Sequence, residues 1–275
     1  MVETHAALSL WDACILGVVQ GLTEFLPVSS DGHLSLLQYF MTPMPAQQKL
    51  AIDVALHIGT LVALLLFYRR DLIAMGYAIL GRGGPDYLRS WFWLIGLATV
   101  PAILVGLSLQ KEIASTLDSL RTIGLGFLLT GNLLFLGSGV PNADRDEASI
   151  NARDAVVIGI FQASALLPGV SRSATTISSA LLLRIRADVA AKFSFLMAVP
   201  AVVGAITVES PGLLALDPAN RFPLFVGVLV AGVTGILAIA LLLRMVASGK
   251  LRYFTYYTWG LGLAVLLAAW LKGWT

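Results

Sequence analysis

Gln20-Gly-Leu-Thr-Glu24-Phe-Leu-Pro27-Val-Ser29-Ser30-Asp31-Gly-His33 interrupts an apolar stretch that extends from Trp11 to Met41. Neither flank is long enough to cross about 30 Å of hydrocarbon as a single helix, and Pro27 removes a helix hydrogen bond at the break. An ionisable group at that depth costs roughly 2.5–3.5 kcal/mol to insert, so such groups usually pair or do chemistry. A second break, Leu167-Pro168-Gly-Val-Ser171-Arg172-Ser173, divides the apolar stretch from Ala155 to Leu183 and runs on through Ala174 and Thr175 to Thr176. Each pattern predicts a re-entrant helix, loop, helix hairpin. Such a hairpin is tolerated only where protein or a wet cavity satisfies the bared backbone.

Outward from these breaks the chain reads as membrane protein. Of its 275 residues 57% are hydrophobic and 12% charged, against about 25% charged in soluble domains. The net charge of +2 is too small, and the basic residues too scattered among loops, for a nucleic-acid partner. Cys14 is the sole cysteine, which excludes an intrachain disulfide and a multi-cysteine metal site. Met1 to His5 lacks a basic n-region, so no removable signal peptide is expected; His5 reads as solvated and Cys14 as core. Six uninterrupted apolar runs, roughly 51–68, 91–109, 121–137, 193–208, 222–243 and 253–271, are long enough to span.

The two broken segments echo each other. Gly17-Val-Val-Gln20 precedes Pro27-Val-Ser-Ser30 much as Gly159-Ile-Phe-Gln162 precedes Pro168-Gly-Val-Ser171. Three spans follow each, and an odd number inverts the second copy relative to the first. The predicted fold is therefore an all-α polytopic membrane protein, six transmembrane helices plus two re-entrant helix-loop-helix hairpins in an inverted repeat. It forms one integral membrane domain, with the first repeat at 1–140, a linker at 141–154 and the second repeat at 155–275. One face collects Arg69, Arg70, Arg82, Arg89, Arg145, Arg153, Arg184, Arg186, Lys192, Arg244, Lys250 and Arg252; the other holds Lys49, Lys111, Arg121, Arg221 and Lys272. The positive-inside rule makes the first face cytoplasmic, with both termini outside, the first hairpin opening outward and the second inward.

Candidate chemistry concentrates in the breaks. Gln20 and Glu24, four apart, share a helix face and either bind a divalent cation through oxygen or hold the hairpin closed as a hydrogen-bonded pair. Ser29 and Ser30 are either helix N-caps or a nucleophile and phosphate ligand at a helix N-terminus. His33, one turn beyond, favours the second alternative, as base and then acid for a seryl intermediate. Arg172 between Ser171 and Ser173 offers a bidentate fork to phosphate oxygens; its other role would be to snorkel or to bridge Glu24. Asp53 and His57 read first as a structural pair capping their helix, the alternative making His57 a supporting partner of the site.

With these motifs the chain resembles the undecaprenyl-diphosphate phosphatase, or bacitracin-resistance protein, family over nearly its whole length. Gln20 and Glu24 meet a pattern of Glu or Gln, three residues, then Glu. Leu26 to Ser30 with His33, and Pro168 to Thr176, meet the family's two longer motifs. The resemblance implies hydrolysis of a C55 polyprenyl diphosphate to the monophosphate carrier used in envelope polysaccharide synthesis, in the cytoplasmic membrane; with the orientation given by the charge count, the site is expected to open to the outer face. It implies Ser30 as nucleophile, Glu24 as the carboxylate of a Mg²⁺ or Ca²⁺ site, His33 as acid/base group, and Arg172, Ser171, Ser173 and Thr176 as phosphate binders, with Ser29 beside them. The partners implied are the lipid diphosphate and the bilayer, a homodimer being left open and nucleic acid excluded. Three positions depart from the family: Gln20, where many members carry Glu; Asp31, where a small hydroxyl residue is common; and Ala174, where glycine is frequent. Asp31 would repel phosphate unless it binds the cation, a role that restores the charge missing at Gln20. The alternative reading is a transporter or flippase of an anionic lipid or phosphate, since broken helices in inverted repeats also build transporters.

Overall fold

The computed structural model describes residues 8–41, 44–109, 119–141, 143–214 and 216–271; His5, Lys111 and Lys272 lie outside them. The chain is helical, and among the described residues the sole β feature is an isolated bridge between Arg145 and Ile185. A short helix α1 (Leu10–Phe25) and a shorter α2 (Ser30–Phe40) precede α3 (Ala46–Phe67), α4 (Arg69–Ile79), α5 (Asp86–Ser108) and α6 (Leu120–Ser138). After a 3₁₀ turn at Glu147–Ser149 come a second short pair, α7 (Ala152–Ser164) and α8 (Arg172–Leu182), then α9 (Ala187–Leu214), α10 (Pro218–Ala247) and α11 (Arg252–Leu271). Six helices, α3, α5, α6, α9, α10 and α11, are long and apolar enough to cross a membrane, at the places the apolar runs predict. Leu104, Leu107, Phe225, Leu237 and Leu267 are each more than half exposed along them, a surface suited to lipid rather than water.

The helices differ from the apolar runs where polar residues cap them. α10 begins before Arg221 because the Asp217 carboxylate accepts from Ala219 N and Pro218 takes the first turn, where a missing N–H goes unnoticed. α4 has no counterpart among the expected elements. It opens with Arg69, Arg70 and Asp71 and buries only Met75 and Ala78, so no apolar run announces it.

The short helices pack against the long ones. α1 lies along α10, α7 lies along α5, α3 touches both α9 and α10, and α6 pairs with α11. Both short-helix contacts depend on the echoed glycines. A Cβ at Gly17 would strike the Gly227 carbonyl oxygen of α10, and one at Gly159 the Ala98 carbonyl oxygen of α5. The repeated Gly-x-x-Gln thus brings a helix backbone against its neighbour twice.

The breaks are shorter than the sequence predicts, because the serines that follow each proline restart a helix. Ser29 Oγ accepts from Gly32 N at 3.3 Å and Ser171 Oγ from Ala174 N at 3.2 Å, so both are N-caps and Gly32, His33 and Ser173 are already helical. Protein groups satisfy the bared backbone of the second break. Thr130 of α6 donates its hydroxyl to Gly169 O at 3.1 Å and accepts from Ser171 N at 3.0 Å. Ala174 is helical and fully buried, so its replacement of glycine brings no backbone strain.

The segment expected as a linker is docked. Arg145 donates to both carboxylate oxygens of Asp154 and to the carbonyls of Leu183 and Ser149, tying the segment before α7 to the end of α8.

Candidate active site

Glu24 is where the two short-helix pairs meet. It sits in the last turn of α1, 8% exposed, and Arg172, the first residue of α8, donates Nη2 to Glu24 Oε1 at 2.6 Å. On Oε2 it accepts from Ser30 Oγ at 2.8 Å and from Gln20 Nε2 at 3.3 Å. The bridge between the breaks is reinforced by Ser173 Oγ donating to Leu26 O at 3.3 Å. The carboxylate therefore draws a serine hydroxyl from one pair and a guanidinium from the other to one point. Arg172 both bridges Glu24 and keeps capacity to spare, because its buried Nη1 has no hydrogen-bond partner.

Of the two histidines the sequence offers, His57 rather than His33 reaches Glu24. His33 does lie one turn beyond the serines, but its Nδ1–H donates to Ser29 O at 2.6 Å and its Nε2 accepts from Tyr257 OH at 2.7 Å. Tyr257 also stacks on the ring at 5.8 Å between centroids. With both nitrogens engaged elsewhere, His33 does not address Ser30, and its expected acid/base role has no geometric support. His57 stands there instead: Nε2 is 3.4 Å from Glu24 Oε2 and 4.0 Å from Asp31 Oδ1. Its Nδ1–H donates to the Asp53 carbonyl at 2.7 Å, which fixes Nε2 as the nitrogen facing the carboxylates. The Asp53 side chain accepts from Gln38 at 2.6 Å, so the helix-capping pair expected of Asp53 and His57 is not formed.

A cavity of about 170 Å³ opens on this cluster. Its polar lining is Thr23, Glu24, Ser29, Ser30, Asp31 and His57 from the first pair and α3, joined by Ser171 and Arg172 at the second break. The apolar lining includes Ala102 of α5, Leu166, and Ala201, Val202 and Ala205 of α9, and Gln162 of α7 also borders the cavity. Of the residues expected to bind phosphate, Ser171 and Arg172 reach the cavity and Ser173 and Thr176 do not. Thr176 is fully buried, its hydroxyl shared between Arg172 O and Ser194, and Ser173 holds the two breaks together. Ser29 borders the cavity with its hydroxyl committed to the cap; its φ of 72° is a left-handed conformation that costs a non-glycine residue of order 1 kcal/mol and recurs at functional sites.

For a hard cation the donor set is partial. The candidate donors are all oxygens: Gln20 Oε1, buried without a partner on a side chain bonded to Glu24, Glu24 itself, and Asp31 in the cavity lining. Among the described residues no group of three His, Cys, Asp or Glu side chains could hold a metal ion by itself. Such a set fits Mg²⁺ or Ca²⁺ only if substrate oxygens and water complete it, which is usual for Mg²⁺.

His57 was within reach of the sequence, but its only local signal was an i, i+4 spacing that pointed to Asp53. Gln162 stood out in the sequence only as half of the repeat. Tyr257 carries no sequence signal, since it meets His33 across 224 positions.

Comparison with known proteins gives the family. The chain matches the family described as Bacitracin resistance protein BacA over residues 13–264. It is 41% identical over 269 residues to an undecaprenyl-diphosphatase of Rubrobacter xylanophilus, covering 95% of this chain and 98% of the relative. A protein of the same name from Alkaliphilus metalliredigens is 37% identical over 272 residues, 94% and 98% of the two chains. One from Methanobrevibacter smithii is 35% identical over 270 residues, 94% and 96%. A family match over most of the length, together with relatives alike from end to end, identifies the chain as a member of the bacitracin resistance protein BacA family.

Proposed function

We propose that this membrane protein hydrolyses undecaprenyl diphosphate to the monophosphate and inorganic phosphate, recycling the lipid carrier and so conferring bacitracin resistance. The names borne by its relatives support the activity. The observation that carries the chemistry is the contact of Ser30 Oγ and Arg172 with the two oxygens of Glu24 in the wall of one cavity. Ser30 Oγ attacks the terminal phosphorus, its proton passing to Glu24 Oε2. The bond from that phosphorus to the bridging oxygen breaks, and the lipid monophosphate leaves. Water then attacks the phosphoserine, losing a proton as Ser30 regains one, and inorganic phosphate departs.

Arg172 Nη1 is free to take a phosphate oxygen while Nη2 stays on Glu24, so the guanidinium neutralises charge without abandoning the carboxylate that orients Ser30. His57 Nε2 keeps the same carboxylate in place from α3. Glu24, Gln20 Oε1 and Asp31 would hold a divalent cation, Mg²⁺ or Ca²⁺, which when bound supplies further charge neutralisation on the transferring phosphoryl.

The short-helix pairs act as re-entrant hairpins of an inverted repeat. Exchange of the two halves turns the contact of α1 with α10 into that of α7 with α5, which supports this reading. The termini face outward, and the site opens to the outer face.

Phosphate release by purified protein in detergent tests the function, because micelles offer no second compartment and a transporter would release nothing. Ser30→Ala should abolish release and spare binding of the lipid diphosphate. An active Ser30→Ala variant would remove Ser30 as nucleophile, and an inactive wild-type protein would favour the transporter.

A further inference from the structure

Gln162 is 3% exposed, lines the cavity from α7, and has neither amide atom in a hydrogen bond. Buried amides are nearly always satisfied, so a side chain with donor and acceptor both bare calls for a missing partner. Its counterpart Gln20 differs. Gln20 spends Nε2 on Glu24, four residues on, whereas the residue four after Gln162 is Leu166, which lines the same cavity. The lining thus combines polar and charged groups gathered on Glu24 with apolar residues that include Leu166, and Gln162, four residues before Leu166, is a polar side chain beside the apolar ones in sequence.

A lipid diphosphate has matching parts: a terminal phosphate, an inner phosphate and then hydrocarbon. With the terminal phosphate at Ser30 and Arg172, and the first carbons of the tail against the apolar lining, the inner phosphate needs a polar lining group that the charged cluster does not already use, and Gln162 is one. We infer that Gln162 is the inner-phosphate ligand, donating Nε2–H to a non-bridging oxygen of the phosphate that stays on the lipid. This inference rests on the phosphatase reading above. A neutral donor suits the position. The inner phosphate becomes the product, and a cation there would hold substrate and product alike and slow release, whereas one directional hydrogen bond positions the ester without trapping it.

The two products separate the subsites, since the lipid monophosphate occupies the inner one and inorganic phosphate the terminal one. With the purified full-length protein in detergent, inhibition of phosphate release by a polyprenyl monophosphate and by inorganic phosphate is measured for wild type, Gln162→Leu and Gln162→Glu. Removing the donor should weaken inhibition by the monophosphate, and raise KM for the diphosphate, by about tenfold, the low end for a hydrogen bond to a charged group. Inhibition by inorganic phosphate should be unchanged. Gln162→Glu keeps the size, replaces the donor with a charge, and should weaken the monophosphate further. Equal loss for both inhibitors in both variants would mean a distorted cavity and overturn the assignment, as would unchanged inhibition by the monophosphate. An inactive wild-type protein would instead sink the phosphatase reading. Binding of the monophosphate to wild type and Gln162→Glu would then still decide whether Gln162 touches it.

Discussion

His33 lies on the helix face that the serine spacing predicts, yet it grips the chain around Ser30 rather than the Ser30 hydroxyl. Its hydrogen bond to Ser29 O holds a left-handed residue directly before Ser30, which suits a positional contribution. A brace can be replaced by another donor and a proton carrier cannot. His33→Asn, whose amide can reach Ser29 O, should retain clearly more turnover than His33→Ala, and kcat in detergent measures it. Equal loss in the two variants would return the acid/base role to His33, a role for which general catalysis contributes about 10²–10⁴-fold. The Asp31 side chain is half exposed and 4.0 Å from His57 Nε2, and Gln20 Oε1 is buried and unpartnered. If both serve the cation, Asp31→Asn should raise the concentration needed for half-maximal activity by roughly fivefold, the scale of a charge acting through about 1 kcal/mol in a partly wet site. Gln20→Glu should recover part of that in the double variant. Unchanged cation dependence in Asp31→Asn would leave Asp31 as the acidic first-turn residue of α2 and nothing more.

At the scale of elements, what was legible had a local cause. Proline and glycine inside apolar runs revealed both breaks, because they remove helix hydrogen bonds wherever the chain then goes. Run length gave the six spans in the same way. α4 escaped because an eleven-residue amphipathic helix opening on Arg69, Arg70 and Asp71 looks like a charged loop, and the placement of His57 escaped because its distance to Glu24 is set by packing of α1 on α3. The echoed Gly-x-x-Gln was visible, but its work was not: the glycines serve contact and the glutamines face the cavity cluster. Gly159→Ala should force α7 away from the Ala98 carbonyl, an overpacking that costs about 1–3 kcal/mol and should lower the thermal midpoint in detergent. Gly204, where an added methyl would meet nothing within 4 Å, is the control, since alanine there only improves helix propensity. Equal midpoints for Gly159→Ala and Gly204→Ala would mean that the close contact of α7 with α5 is not needed.

The whole molecule has one end fastened by charge. Lys192 of α9 pairs with Asp71 of α4 and donates to Tyr87 OH of α5. Arg186 approaches Glu147 of the 3₁₀ turn at 3.7 Å, and Arg145 clamps Asp154 of α7. Residues that the charge count assigned to a single face are thus neighbours in space, which supports a common side for them without saying which side it is. The positive-inside rule supplies the direction, because basic loops resist translocation. α10 offers the cleanest test, as one helix running from Pro218 to Ala247 with exposed residues at either end. In a Cys14→Ala background, Ala219→Cys should react with a membrane-impermeant thiol reagent added to intact cells, and Ser248→Cys should react only after the cells are opened. The opposite pattern would turn the molecule over, moving its termini and the mouth of the Glu24 cavity to the cytoplasmic side. It would leave the chemistry of Ser30 and Arg172 untouched, since that depends on contacts inside the bundle and not on which leaflet delivers the lipid.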